Sequence, residues 1–413
     1  MTKNFSSSIY IDYYFKLSLA IIPLLVVFNA KGWLSVVSIL LISILGLMAN
    51  KEKVEWLRWE KFFIASFLTY FLMVSLSLLL FDGDLRDLDT PSRFLLVIPI
   101  FLYVRKSKIT PVWLLFGFVV TAISLGLNEI LTKTIVDREY LFNLSDNFHS
   151  GILTFYASIF GVGSLLIIHP SRNLLINFLL VFSAIVSIYT SFISGGRGVW
   201  IASFLTFIMF FLLNPLRWSL RIKVFLFSIF ILVFTISYIS PLSGVQGRIN
   251  DIVNNTNAWI DKGTANTSIA QRFELWRAAS LIIKNNTLFG IGEGNFHEYK
   301  KTLIDEGMAP KSIKKFNHPH SEYMATLVEQ GVVGLFVLIF LLITPVLAMK
   351  SYINSGTSLN IASLISLLIV ISFHYIFYAV GNGVFDHQST TIFFAFFLAT
   401  GMGILRAALR AEE

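Results

Sequence analysis

Cysteine is absent from all 413 residues. Disulfides, thiolate nucleophiles and cysteine-ligated metals are therefore excluded, and no redox clue to the compartment remains. Charge is also scarce: Asp, Glu, Lys and Arg make up 14% of the chain against 55% hydrophobic residues, and the mean hydropathy is +0.74. A soluble domain holds far more charge and less apolar mass, so these values exclude that class and predict an all-α polytopic membrane protein. Neither an internal repeat nor a low-complexity tract is present. The N-terminal apolar run continues to Ala30, too long for the h-region of a signal peptide, and reads as an uncleaved first span.

The few charges lie between apolar runs. About 20 apolar residues cross a bilayer as a helix, which places spans near 14–30, 33–49, 62–81, 94–104, 112–131, 151–169, 173–193, 198–213, 222–240, 331–349, 358–380 and 388–405. That is about 12 transmembrane helices, the weakest at 94–104, which is short and carries Pro99. With the N-terminus inside, the inner segments hold fifteen basic residues: Lys3, Lys51, Lys53, Arg58, Lys61, Arg105, Lys106, Lys108, Arg172, Arg217, Arg221, Lys223, Lys350, Arg406 and Arg410. The short outer loops hold six, Lys31, Arg86, Arg93, Lys133, Arg138 and Arg197, beside Asp82, Asp84, Asp87 and Asp89. Basic residues favour the cytoplasmic side, so both termini are expected inside. The net charge of +8 is then a topology signal rather than a sign of nucleic-acid binding.

Three regions follow: a bundle of about nine spans over 1–240, one long outer loop over 241–330, and about three further spans over 331–413. Within the loop, 251–267 is rich in Asn, Thr and Asp and reads as irregular. Ser268 to Lys284 reads as an amphipathic helix with Ile269, Phe273, Trp276, Ser280 and Ile283 on one face. Gly290, Gly292 and Gly294 break the chain into turns. From Ser321 the sequence SEYMATLVEQG reads as helix ending at Gly331.

His318-Pro319-His320-Ser321 stands at the end of that loop. Proline holds its neighbours extended, and residues two apart on an extended chain point the same way, so both imidazoles are expected to face one site. Three readings stand: an interfacial loop with hydrogen-bonded histidines, a zinc pair lacking a third ligand nearby in sequence, or a general base. Ser194-Gly195-Gly196-Arg197-Gly198 joins two spans on the same side and reads either as an anion site or as a tight hairpin whose arginine snorkels to headgroups. Arg272 shares a helical face with Trp276, and reads as a phosphate ligand or a solvated charge. Two arginines and a histidine suit transfer from a lipid diphosphate: guanidinium groups bind phosphate oxygens while imidazole deprotonates an incoming hydroxyl. His149 and the pair Asp386-His387 lie on the same side. His374, inside a span, is a functional candidate or a partner in a helix–helix hydrogen bond.

These residues resemble those of the bacterial O-antigen ligases, within the wider group that includes O-antigen polymerases. The family's outer-loop signature is His, then Asn, Ser or Gln, nine residues, Gly, two residues, then Gly, Thr or Tyr; here His320-Ser321 is followed by Gly331 and Gly334. A second signature, Arg followed four residues later by Leu, falls on Arg197, with Ile201 in the leucine position. The family's loop arginine corresponds to Arg272 in AQRFELW. The resemblance implies a metal-independent inverting glycosyltransferase of the bacterial inner membrane, without cofactor. It would move O-antigen polysaccharide from undecaprenyl diphosphate to a sugar hydroxyl of lipid A-core on the periplasmic face. His320 is then the base and Arg197 and Arg272 hold the diphosphate; His318, Ser321, Trp276, Gly331 and Gly334 support them. An O-antigen polymerase is the nearest alternative. A transporter or flippase fits less well, because transporters concentrate ionisable groups at the midplane in broken, often repeated helices.

Overall fold

The computed structural model describes residues 3–28, 34–49, 52–135, 150–262, 266–353 and 356–412. Lys31, Lys51, Arg138 and His149 lie outside the described residues. The described chain is helical, with no strand. In order come α1 (Lys3–Phe28), α2 (Leu34–Ala49), α3 (Arg58–Leu80), α4 (Ser92–Leu96), α5 (Ile98–Val104), α6 (Pro111–Ile135), α7 (Ser150–Leu166), α8 (Leu174–Ser194), α9 (Arg197–Leu213) and α10 (Leu220–Ile239). Then follow α11 (Val245–Lys262), α12 (Ser268–Asn285), α13 (Phe296–Asp305), α14 (Glu322–Lys350), α15 (Leu359–Tyr378) and α16 (Gln388–Glu412).

Among the described residues seven helices are long and apolar enough to cross a membrane: α3, α6, α8, α10, α14, α15 and α16. This is a polytopic membrane protein. Three further apolar stretches of helix, Leu34–Ala49, Thr154–Leu166 and Arg197–Leu213, occupy expected span positions but have 17 residues or fewer, short of the usual 20 or so. The weak segment at 94–104 is two short helices, α4 and α5. Pro99 has no N–H to donate back to Leu95 and disfavours helical backbone before it, so the ladder breaks at this point.

At the centre α15 is buried from Ile361 to Tyr375 among α7, α9, α14 and α16. His374 belongs to this packing. Its Nε2 lies 2.7 Å from Ser158 Oγ on α7 and 3.4 Å from Ser203 Oγ on α9, the helix–helix hydrogen bond anticipated for it. One end of the bundle carries a buried ion cluster: Glu60 at the start of α3 meets Arg105 at 2.6 Å and Arg406 at 3.7 Å. At the other end of α3, Ser77 Oγ accepts the Glu293 N–H at 2.9 Å, so the 241–320 segment covers the opposite end.

Two expectations for that segment need correction. Residues 251–262 are not irregular but belong to α11, because Val245, Ile249, Ile252 and Trp259 recur at helical spacing and outweigh the mild helix aversion of Asn and Thr. Trp259 anchors α11 to α12, its Nε1 donating to Glu274 Oε1 at 3.0 Å and its ring 4.8 Å from that of Phe273. On α12 the packed face is Ala270, Leu275, Ala278, Ala279 and Ile282, not the predicted one, and Ser280 is exposed. Alanines let the helix backbone approach its neighbours, whereas the bulky Phe273 and Trp276 remain at the edge. Leu275, Ala278, Ala279 and Ile282 join Phe296, Ile304, Ile313 and Val328 in a second hydrophobic core, separate from that of the bundle.

Candidate functional site

The approach to His320 is held by side-chain donors on backbone carbonyls. Gln271 Nε2 reaches Ser312 O at 3.4 Å, and Trp276 Nε1 reaches Pro319 O at 3.0 Å. Trp276 thus supports the turn from below rather than lining a site. His320 itself has φ +54°, a left-handed conformation that costs a non-glycine residue about 1 kcal/mol or more. Its N–H donates to His318 Nδ1 at 2.9 Å. The expected extended geometry is therefore replaced by a turn, which the side chain of His318 closes. With Nδ1 accepting that bond, the neutral His318 ring carries its proton on Nε2. The two ring centroids lie 6.3 Å apart. Gly383 makes room for His318: a Cβ there would stand 2.7 Å from its Cε1.

Ser321 is the N-cap of α14, its Oγ accepting from Met324 N at 3.3 Å. The next residue ties this helix start to the connection between α15 and α16. Glu322 N donates to Ala379 O and Asn382 O, and Glu322 Oε2 accepts from Val384 N at 2.8 Å and Phe385 N at 3.1 Å. Eleven residues past His320, Gly331 breaks α14 with φ +69° and ψ −166°, as the sequence suggested. A Cβ at Gly331 would lie 2.2 Å from Leu288 O, so only glycine fits on both counts. The break frees the carbonyls of Val328 and Glu329 to accept from Ile291 N and Gly292 N at 3.0 and 2.9 Å. Gly334 leaves space for the Gln330 side chain, whose Nε2 donates to Glu293 Oε2 at 2.6 Å. The spacing from His320 to Gly331 and Gly334 thus links the histidine turn to the glycine turn carrying Glu293.

Between these turns and the bundle lies a cavity of about 750 Å³. Its lining includes His318, His320, Arg272, Asn382 and Tyr378 together with Glu293, Glu329, Gln330, Asp87, Asp386 and His387. Burial, with the positive charge of Arg272 next in weight, pushes the His320 imidazole down to about 4, so at neutral pH it holds a free lone pair. Burial likewise lowers His318, while burial raises Glu293 above the usual carboxylate range. Arg272, its own pKa lowered by burial, donates from Nη2 to Asn382 Oδ1 at 3.3 Å. Among the described residues no carboxylate pairs with Arg272. A buried guanidinium facing a neutral amide keeps donors that an anion could accept from.

Arg197 does not line this cavity. It opens α9 and pairs with Asp251 of α11 at 3.2 Å. Its Nη1 is buried and has no hydrogen-bond partner among the described residues. The two arginines nonetheless flank one junction, since Arg197 contributes to lowering the pKa of Arg272 and a Cβ on Gly198 would stand 3.0 Å from Asn382 Nδ2. Among the described residues no group of three or more His, Asp or Glu is arranged to hold a metal ion, so the zinc reading gains no third ligand. Sequence reasoning missed Glu293, Glu322, Glu329, Gln330 and Asn382. Glu322 and Glu329 carried a signal: two carboxylates seven residues apart share a helical face immediately before an apolar run.

Fold and site together define a membrane protein with several spans in which His318, His320 and Arg272 line one cavity beside the 241–320 segment. A family model described as O-antigen ligase matches residues 182–339, the stretch holding Arg197, Arg272, His320, Gly331 and Gly334. Over that stretch the chain is similar to the O-antigen ligase family. It is also 26% identical over 362 residues to an uncharacterized protein of Haemophilus influenzae, covering 86% of this chain and 90% of that one.

Proposed function

We propose that the protein is an inverting glycosyltransferase that moves O-antigen polysaccharide from undecaprenyl diphosphate to a sugar hydroxyl of lipid A-core, on the periplasmic face of the inner membrane. The observation that carries this reading is the meeting of His320 and Arg272 in one cavity, one imidazole with a free lone pair and one guanidinium that pairs with no carboxylate among the described residues. His320 accepts the proton of the acceptor hydroxyl. The acceptor oxygen attacks the anomeric carbon, the bond from that carbon to the diphosphate oxygen breaks, and undecaprenyl diphosphate leaves with the electron pair. Direct displacement inverts the anomeric centre. Arg272 offsets the charge growing on the leaving diphosphate, and Arg197 adds its unpartnered Nη1 from the neighbouring helix start. Such a cavity has the size of ordinary ligand sites, roughly 300 to 1,000 Å³. Its acidic side chains offer hydrogen-bonding oxygens to sugar hydroxyls.

The test is the lipopolysaccharide of a deletion strain. Bare core with accumulated long lipid-linked polymer supports the ligase, whereas core carrying a single repeat means the protein is a polymerase. Activity of purified protein in detergent, with no compartment to cross, separates either enzyme from a transporter.

A further inference from the structure

Helix α13 buries Phe296, Lys300 and Ile304 on one face at four-residue spacing. The middle of an apolar stripe is thus a lysine with no solvent exposure. An ammonium held in such a place needs partners. Among the described residues no carboxylate provides one. Lys300 Nζ instead donates to the backbone carbonyls of Phe316 and, at 3.4 Å, Lys314, and it lies 5.7 Å from the centre of the Phe296 ring. Those carbonyls follow the short 3-10 turn Lys311–Ile313 that leads into the histidine turn. The Phe316 ring stands edge-on to the His320 imidazole at 5.1 Å and lines the cavity with it.

We infer that Lys300 is a positioning residue for His320: its buried ammonium clamps the carbonyls of residues 314 and 316 and thereby sets the Phe316 ring that backs the imidazole. The inference rests on the reading of His320 as the base. Lysine, rather than a fixed apolar residue, makes the clamp dependent on charge. Burial lowers the Lys300 pKa to about 8, and no charged side chain on α12, α14 or the 3-10 turn contributes to that shift. As pH rises through this value the ammonium loses its proton and its charge-assisted bonds weaken. Arginine in the same place would stay protonated.

The experiment uses full-length protein in detergent or nanodiscs. Amide hydrogen exchange of the 311–321 segment is followed at pH 7 in wild type, Lys300→Met and Lys300→Arg, and ligation is measured against pH in all three. Exchange in 311–321 is expected to quicken about tenfold in Lys300→Met, since opening a local clamp lowers protection without global unfolding. Its kcat should fall by about tenfold to a hundredfold with KM for the lipid-linked donor unchanged, the scale of loss from misplacing a reacting group. Wild-type activity should decline above about pH 8, and that decline should move to higher pH in Lys300→Arg. Wild-type exchange in Lys300→Met, or an unmoved alkaline decline in Lys300→Arg, overturns the inference; if Lys300→Met does not fold, the Lys300→Arg profile decides. Failure of the His320 reading appears separately, as full ligation by His320→Ala, and leaves the exchange comparison to judge the clamp.

Discussion

The two ends of the bundle use buried charge in opposite ways. At the end away from the cavity, Glu60 is fully buried and meets Arg105 and Arg406, while Arg105 also caps the carbonyl of Glu55 at 2.9 Å and lies 4.0 Å over the Trp56 ring. One carboxylate bridges two guanidinium groups there, so the cluster fastens α3, α5 and α16. At the cavity end, Arg272 faces a neutral amide, His320 occupies a left-handed turn, and Glu293 meets Gln330 rather than a cation. Charge matched by charge holds a fold together. Charge left unmatched beside a cavity is available for a ligand.

The comparison breaks if mutations at the two ends behave alike. The largest effect on stability is expected from Glu60→Ala, which leaves two buried arginines without their carboxylate and should cost about 3–5 kcal/mol; denaturant unfolding of purified protein would register it, with activity per folded molecule retained. Arg272→Ala is the converse: a melting temperature close to wild type and a loss of about a hundredfold to a thousandfold in kcat, the usual scale for removing one donor to a developing anion. Gly331→Ala should destabilise by about 1–3 kcal/mol, since it forces a side chain into left-handed backbone and against Leu288 O. The smallest effect is with pH. Because His320 is pushed down to about 4, its free base persists as pH falls from 7 to 5, so kcat/KM should hold across that interval and decline only near 4. An acid decline centred near 6.5, the ordinary histidine value, would show that the imidazole is more exposed than its surroundings indicate.

Much of this was legible in the sequence because lipid imposes a coarse rule: apolar length marks helices, and the charges between them mark ends. The break at Gly331 and the weakness around Pro99 follow from residue types with unusual backbone options. The helix α11 was not legible, since its Asn and Thr suggest a loop and only a sparse stripe with Trp259 says otherwise. Nor was the left-handed turn at His320, which depends on a bond from its own backbone to the ring of His318. The cavity carboxylates escaped notice because Asp87, Glu293 and Glu329 come from three segments far apart in the chain that only the fold unites. Arg197 was read as a diphosphate ligand, and the structure pairs it with Asp251 at 3.2 Å, a partly exposed ion pair worth at most about 1 kcal/mol.

The most direct test of the central claim is ligation by purified His320→Ala with lipid-linked donor and lipid A-core, alongside its unfolding transition. The expected result is a fold as stable as wild type with kcat reduced by about a hundredfold to ten-thousandfold, the range for losing a general base. Full ligation by a well-folded His320→Ala protein would contradict the assignment of His320 as the base.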